Sequence, residues 1–401
     1  MTPASLNDNP RLSRYVVAID GEGGGGLYNT VTRVLLPMDA AIDRLERELF
    51  LEGQEAASME RRLFAHRTLL TLTTMVTWEC NLRCNHCTVL DRLTPKQNRD
   101  IDVDKLADFV LRFRDTRPEI DSLKITFLGG EPLLRPDLCL GILQRTRSLG
   151  LRSHYDATTN LAFEMRAAHL ELISQLDDLV VSLDGLEPLH NAQRRPYKGD
   201  FNPFQATVEN LRRLVNEGLG EKILVQGAIR DEFAKLENFQ DYQRFLMTLG
   251  VRYDRIVFET IHPTSHRPRP QRSYLASLQV PKLRLDACCK YRGAYKLIVD
   301  HDDTLYSDYY DWERLGTLDG DVAGLLERHK EMVLSSMPAL HDEGCRSCPV
   351  IGYCWGGCTN AGEFSRHPSL YCNRQGLIEK VRTLASDGSL PGLKTSGPDC
   401  G

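Results

Sequence analysis

Cys80, Cys84 and Cys87 stand as Cys-x3-Cys-x2-Cys in the stretch that runs from Thr77 through Trp78 and Glu79 to Cys87. Three thiolates this close can hold three irons of a cubane four-iron four-sulfur cluster. The fourth iron is then left without a protein ligand, since Thr88 to Lys96 offers no further cysteine, and something else can bind there. A zinc site usually shows paired Cys-x2-Cys knuckles or Cys/His pairs. Structural cysteines do not normally gather in a polar Asn/Arg/His loop directly after an apolar strand. The triad is therefore a candidate centre for one-electron chemistry.

A second array lies near the C-terminus: Cys345, Cys348, Cys354 and Cys358, then Cys372 after thirteen intervening residues. Glycine and aromatic residues interrupt it (Gly352-Tyr-Cys-Trp-Gly-Gly357), so it is no amphipathic core helix. Of the remaining cysteines, Cys139 on the apolar helix from Leu138 to Leu143 suits a small buried residue. Cys400 sits in the Gly/Ser/Pro tail from Ser386 onward, expected to be mobile.

The triad resembles that of the radical SAM superfamily, in which the open iron binds the amino and carboxylate groups of S-adenosylmethionine. One electron from the cluster then splits the sulfonium and releases a 5′-deoxyadenosyl radical. His86 stands where that family usually has an aromatic ring. Further along, Gly129, Gly130, Glu131 and Pro132 follow directly on the strand Ile125–Leu128. Two glycines let backbone approach a ligand closely and Pro132 stiffens the exit. By resemblance this loop binds the methionine amino group. Thr158-Thr159-Asn160 ends the third strand and Ser182-Leu-Asp-Gly185 the fourth; the resemblance places Ser182 and Asp184 near the ribose and the methionine carboxylate. His190-Asn-Ala-Gln-Arg194 resembles the family's His-Asp-x-x-Arg, with Asn191 in place of Asp. Arg194 is expected to pair the methionine carboxylate as a guanidinium fork, with Arg195 as the alternative; Gln226 and Gly227 are expected near the adenine.

The C-terminal array is similar to the SPASM extension of radical SAM enzymes that modify ribosomal peptides and proteins, which implies two auxiliary four-iron clusters. Cys345, Cys348, Cys354 and Cys372 would then ligate the distal cluster and Cys358 would cross over to the proximal one. Here the chain departs from the pattern. Cys288 or Cys289 supplies the opening cysteine, but Asp303 stands at the family's glycine and Asp308 at its second cysteine, while Gly316-Thr-Leu318 still matches the following segment. Asp308 could be an oxygen ligand, both adjacent cysteines could bind, one iron could stay open to substrate, or the cluster could be lost.

The elements that must position these residues read as follows. Tyr15 to Asp20 and Leu27 to Val34 predict strands and Ala40 to Leu49 a helix. Gly21-Glu-Gly-Gly-Gly-Gly26 matches Gly-x-Gly-x-x-Gly, but a strand follows it. A dinucleotide site needs a helix N-terminus there, so it reads as a hairpin loop. From residue 70 strands alternate with helices: 72–77, 103–114, 123–128, 136–149, 154–159, 163–175, 178–182, 204–217, 222–229, 235–249 and 254–260. Such alternation implies parallel βαβ units. The expected fold class is α/β: a partial (β/α)6 TIM-like barrel with a small N-terminal α+β region and, as the resemblance implies, a C-terminal iron–sulfur SPASM domain. The expected limits are 1–66 for the N-terminal region, 67–262 for the barrel, 263–286 for a linker, 287–375 for the SPASM domain and 376–401 for a C-terminal helix and tail. Active residues should gather at the C-terminal ends of the barrel strands.

The chain has 401 residues, 41% of them hydrophobic, and a net charge of −5. No basic stripe interleaved with aromatics suggests nucleic acid; the exception, His266 to Arg272, reads as a solvated linker, or as a site for an acidic peptide. No apolar run approaches a membrane span and the N-terminus lacks a signal-peptide core, so the expected location is the cytoplasm, where 12 cysteines argue for metal ligation over disulfides. The expected cofactors are S-adenosylmethionine, one radical SAM four-iron cluster and two auxiliary ones; the expected partners are a precursor peptide and an external flavodoxin- or ferredoxin-type reductant. Candidate bases for the proton lost after hydrogen abstraction are Asp308, Tyr306 and Asp302, with Asp300 and Glu259 behind them. The reaction expected is an oxidative peptide modification, foremost a carbon–carbon, thioether or ether crosslink. Formylglycine formation, or dehydrogenation or epimerisation of a small molecule, are the alternatives. A peptide-binding or electron-carrying scaffold without turnover is disfavoured by the intact triad and loop motifs.

Overall fold

A computed structural model describes residues 11–19, 25–64, 67–96, 99–229, 236–260, 295–307, 312–335, 344 and 348. Cys288, Cys289, Asp308, Cys345, Cys354, Cys358 and Cys372 lie outside them. So do the linker, all of 376–401, and all of Gly21 to Gly26 but its last two glycines.

Two compact units emerge. In the first, β1 (Val16–Ile19), β2 (Gly26–Asn29) and β3 (Val34–Pro37) form an antiparallel meander, followed by helices α1 (Ile42–Arg47) and α2 (Glu55–Phe64). Leu27, Leu36, Leu45 and Phe50 form its core. The single strand expected over 27–34 is broken, because the Asn29 side chain accepts from the N–H groups of Val31 and Thr32 at 3.0 and 3.1 Å. Such an Asx turn ends a strand locally. The helix expected over 40–49 shrinks to six residues, and α2 is an addition.

The second unit is built on β4 (Leu69–Thr77), the short β5 (Leu82–Cys84), α3 (Val103–Thr116), β6 (Ser122–Gly129), α4 (Pro136–Arg147), β7 (Arg152–Thr159), α5 (Ala167–Gln175), β8 (Asp178–Ser182), α6 (Glu187–Gln193), β9 (Arg194–Pro196), α7 (Pro203–Asn216), β10 (Ile223–Ile229), α8 (Leu236–Thr248), β11 (Ile256–Thr260), β12 (Lys296–Val299), β13 (Thr304–Tyr306) and β14 (Arg314–Thr317), with α9 (Val322–Ser335) after it. The helices form where apolar residues recur on one face. In α3 these are Leu106, Phe109, Val110 and Phe113, all buried, and Asp102 caps the start by accepting from the Asp104 and Lys105 N–H groups. In α7, Asn202 caps and Pro203 takes the first turn.

Six strands run parallel in the order β4-β6-β7-β8-β10-β11, and β11 does not return to β4. The alternation read from sequence therefore gives the open, partial barrel expected. The sheet continues past β4, however. β12 pairs in parallel with it (Leu297 beside Leu72), and β13 and β14 add antiparallel, making nine strands in a mixed sheet. These three strands, assigned by sequence to the extension that begins at 287, belong to the same compact unit as the barrel. Ile298 and Val299 are fully buried, so the open edge of β4 is covered by apolar strand rather than left to solvent. Asp303, at the turn between β12 and β13, has φ of 69°. That is the left-handed region in which glycine sits at no cost and Asp is among the most tolerated substitutes, so this position accepts the exchange seen in sequence. Its buried carboxylate receives the Asp102 N–H and ion-pairs with Arg99 and Lys105.

Candidate active site

The C-terminal ends of β4, β6, β7, β8 and β10 open onto one cavity of about 260 Å³. The chain leaves β4 at Thr77 and turns through Trp78 and Glu79 into Cys80. Cys84 ends β5, and the Cys87 N–H returns to the Cys84 carbonyl at 3.2 Å. All three thiols line the cavity, and no fourth thiol does among the described residues. Burial pushes the thiols up, Cys80 to about 12 with help from the Glu131 charge, and Cys84 to about 11, against the nearby Arg194. Cys87 is raised by the same loss of solvent. Three soft donors in a desolvated pocket hold protons unless cations replace them, which is the chemistry of an iron–sulfur ligand set with one position open. The residues present fit such a cluster.

Gly129 and Gly130 hold this loop. The Gly130 N–H donates to the Thr77 carbonyl at 2.6 Å and the Glu131 N–H to that of Glu79 at 2.8 Å. A Cβ on Gly129 would collide with the Thr77 carbonyl oxygen, and one on Gly130 with that of Glu79. The glycines are thus required by the packing of backbone on backbone that fixes Cys80, and both also line the cavity. Glu131, only 1% exposed, ties β6 to β7. One oxygen accepts from the Thr159 hydroxyl at 2.7 Å and the Leu133 N–H at 3.1 Å, and the other from the Asn160 N–H at 2.7 Å. Burial pushes its carboxyl up to about 7 despite these donors. The Asn160 amide donates to Asn81 at 2.9 Å and lies 3.9 Å from the Cys80 sulfur. Pro132 is buried behind the loop at the start of a 3-10 turn and does not line the cavity.

Asp184 and Arg194 meet each other. The Arg194 Nε and Nη2 donate to the two Asp184 oxygens at 2.8 and 2.9 Å, and Nη1 lies 3.8 Å from the Cys84 sulfur. Asp184 has no exposure and also accepts the Ala228 N–H at 3.1 Å. Its burial alone would raise the carboxyl, but Arg194 and His86 outweigh that and hold it at about 2. Asp184, expected beside the ribose, therefore sits behind the wall. Arg194, expected to grip the methionine carboxylate, lines the cavity with its fork already committed. Arg195 is exposed and outside the lining. His190 is buried and accepts the Asp184 N–H on Nδ1 at 3.2 Å, which puts its proton on Nε2. Burial, against the Asp184 charge, lowers it to about 3, so it stays neutral. Ser182, Thr158 and Gln226 line the cavity, and His86 lines it 3.8 Å from Asp184.

Of the candidate bases, Asp300, Asp302 and Tyr306 do not line this cavity. The Asp302 carboxylate is exposed and accepts the Thr304 N–H at 3.0 Å. Asp300 is buried but accepts the Trp78 indole N–H at 2.9 Å and the His301 N–H at 2.7 Å. Tyr306 packs edge-on against Trp312, 5.3 Å between centroids, and joins Trp78, Met75 and Ile298 in an apolar cluster. Asp308 and the Glu259 side chain lie outside the described residues. The sequence reading missed the apolar walls Met75, Leu82, Val89, Leu93 and Leu128. Two of them, Leu82 and Val89, lie within two residues of a cysteine, so their place in the chain was a usable signal.

The radical SAM superfamily model matches residues 75–239. Over 125 residues the chain is 36% identical to a GTP 3′,8-cyclase of Streptomyces coelicolor, covering 30% of this chain and 35% of that one. A GTP 3′,8-cyclase of Xanthomonas campestris pv. campestris is 28% identical over 186 residues, 45% of this chain and 53% of the relative. The chain thus matches about a third to a half of the length of these relatives. The solved structure of native anSMEcpe with bound AdoMet and Cp18Cys peptide superposes with a TM-score of 0.59 at 16% identity, over 79% of this chain and 98% of that one. That likeness shows a shared fold. Three thiols thus converge at the strand ends of an open parallel barrel within the stretch, residues 75–239, that matches the radical SAM superfamily model.

Proposed function

We propose that this protein is a radical S-adenosylmethionine maturase that abstracts hydrogen from a ribosomally made peptide and installs an oxidative modification, foremost a side-chain crosslink. The observation that carries the radical part is the convergence of Cys80, Cys84 and Cys87 on a cavity whose polar lining belongs to the strand ends. When bound there, the cluster supplies the electron that cleaves S-adenosylmethionine and yields the hydrogen-abstracting radical. The chain itself does the rest. Glu131 and Asn160 lock the cysteine loop onto β7, and the glycine pair seats Cys80. Ser182, Thr158 and Gln226 present hydroxyl and amide groups suited to a ribose and an adenine. Met75, Leu82, Val89, Leu93 and Leu128 exclude water from a reactive intermediate.

A peptide substrate is supported by the five-cysteine array from Cys345 to Cys372, which suits two auxiliary clusters able to take the electron a crosslinking reaction releases. The fold shared with a peptide-bound structure over most of the chain agrees with it. Conversion of a Cys or Ser to formylglycine is a variant of the same reading. A nucleotide substrate is the second reading, favoured by the identity to GTP 3′,8-cyclases, but that identity is confined to less than half of the chain.

Anaerobic, reconstituted protein with S-adenosylmethionine, reductant and a short peptide encoded beside its gene tests the proposal by mass. Loss of about two hydrogens per event, without a carbonyl that a hydrazine reagent traps, identifies a crosslink. A trapped carbonyl identifies formylglycine. An unchanged peptide beside consumed GTP overturns the peptide reading.

A further inference from the structure

β5 and β9 form a two-stranded antiparallel ribbon in the register Leu82 to Pro196, Arg83 to Arg195 and Cys84 to Arg194. Like charges directly opposite on such a ribbon are destabilising, and Arg83 faces Arg195. Arg83 folds back so that its guanidinium lies 3.6 Å over the ring of Tyr197, and the Lys198 ammonium lies 5.2 Å from the same ring. Tyr197 is 37% exposed, and Arg195 and Lys198 are exposed as well. None of the three cations forms an ion pair with a carboxylate of the described residues. Three cations around one exposed ring, with no acid to balance them, stand out in a chain whose net charge is −5.

The position of this patch matters more than its charge. Arg83 donates to the carbonyls of Cys80 and Leu82 at 2.9 and 2.8 Å, and its strand neighbours Leu82 and Cys84 line the cavity while Arg83, Arg195, Tyr197 and Lys198 do not. The ribbon is therefore the wall between the thiol cluster site and solvent, one residue thick. We propose that its outer face, Arg83, Arg195 and Lys198 around Tyr197, docks an acidic one-electron carrier protein. In the step it serves, the carrier loses one electron and the centre held by Cys80, Cys84 and Cys87 gains it; no bond forms or breaks and no proton moves. Positive charge on this face steers an acidic carrier, and Cys84 follows Arg83 directly in the ribbon. This inference rests on the radical reading above.

The test uses the double variant Arg195→Glu/Lys198→Glu and leaves Arg83 in place because it touches the Cys80 carbonyl. Formation of 5′-deoxyadenosine is followed with either dithionite or flavodoxin hydroquinone as the electron source. Binding of oxidised flavodoxin is measured separately at low and high salt. The dithionite-driven rate should be unchanged, while the flavodoxin-driven rate falls about tenfold or more and salt-sensitive binding disappears. An unchanged flavodoxin-driven rate overturns the proposal. So does an equal loss with both reductants, which would make the patch a structural brace. A raised KM for peptide at unchanged flavodoxin dependence would assign it to substrate instead. Should the unsubstituted protein make no 5′-deoxyadenosine with dithionite, the radical reading falls, and the binding measurement still decides whether the ribbon docks the carrier.

Discussion

Replacing Asp184 by Asn examines the pair on which the back wall of the cavity is built. Both Asp184 oxygens receive Arg194 and one also receives the Ala228 N–H. With Asp184 fully buried and the Arg194 side chain 11% exposed, removing one charge strands the other in a poorly solvated place. Breaking such a pair costs about 3–5 kcal/mol. A double-mutant cycle of Asp184→Asn and Arg194→Gln, read by anaerobic urea denaturation, should therefore return a coupling of about 3 kcal/mol. The acid limb gives an independent figure. The Asp184 carboxyl is held at about 2 against 3.8 in an ordinary setting, so the folded state releases its proton more readily than the unfolded one. Stability from this group is complete above about pH 4 and is lost as pH falls through 2, a contribution of roughly 2.5 kcal/mol. The difference in stability between the native protein and Asp184→Asn should shrink by that amount over this interval, since other groups titrate alike in both. A coupling under about 0.5 kcal/mol, or a difference flat across the acid limb, would refute the assignment of Arg194 to Asp184 and return it to a ligand carboxylate.

Gly130→Ala should destabilise by about 1–3 kcal/mol, because the new methyl meets the Glu79 carbonyl rather than a side chain that could swing away. It should also lower iron uptake on reconstitution, read by iron and sulfide content. Trp78→Phe leaves the buried Asp300 carboxylate one donor short and should cost about 1–3 kcal/mol, whereas Asp300→Asn, which keeps an acceptor for the indole, should cost less; urea midpoints compare the two. Glu131→Gln should flatten a pH slope. Burial raises this carboxyl from 4.5 to about 7, so the folded state holds the proton more tightly, and stability falls as pH rises through that window by about 3 kcal/mol. Thermal midpoints of the variant between pH 4.5 and 7 should lack that component.

The barrel was legible because its signals are local and periodic: apolar strands such as Leu123–Leu128, each followed by a helix with one buried face. Ends of elements were less so. The break after Asn29 depends on a side chain folding back onto its own turn, and α5 starts late, at Ala167, where the His169 ring accepts the Arg166 N–H at 2.9 Å and caps the helix. The β12–β14 addition was invisible for another reason. Its pairing with β4 joins residues more than two hundred positions apart, and nothing in a short strand such as Lys296–Val299 names its neighbour. The motif residues were found, but their partners were not. Type and spacing marked Arg194 as a fork for a carboxylate. Only the fold shows that a carboxylate ten residues away, Asp184, already fills it.

The same distinction governs how the cavity can recognise a ligand. Most of its charged and amide groups are bound to one another before any ligand arrives: Glu131 to Thr159 and Asn160, Asn160 to Asn81, Arg194 to Asp184. Such a network is costly to build from buried groups unless each is satisfied, and here those bonds run between strand ends and the cysteine loop. Their effect is to hold three sulfurs in fixed relation on a loop that has only three residues of strand, β5, to steady it. Recognition then falls to the less committed lining, the side chains of Ser182, Thr158 and Gln226. These groups are neutral and can tell one hydroxyl or amide edge from another without a desolvated charge. A site arranged this way would keep its geometry if a cluster held by the three thiols gained or lost one electron, because the groups nearest the sulfurs already have partners and need not turn to follow it.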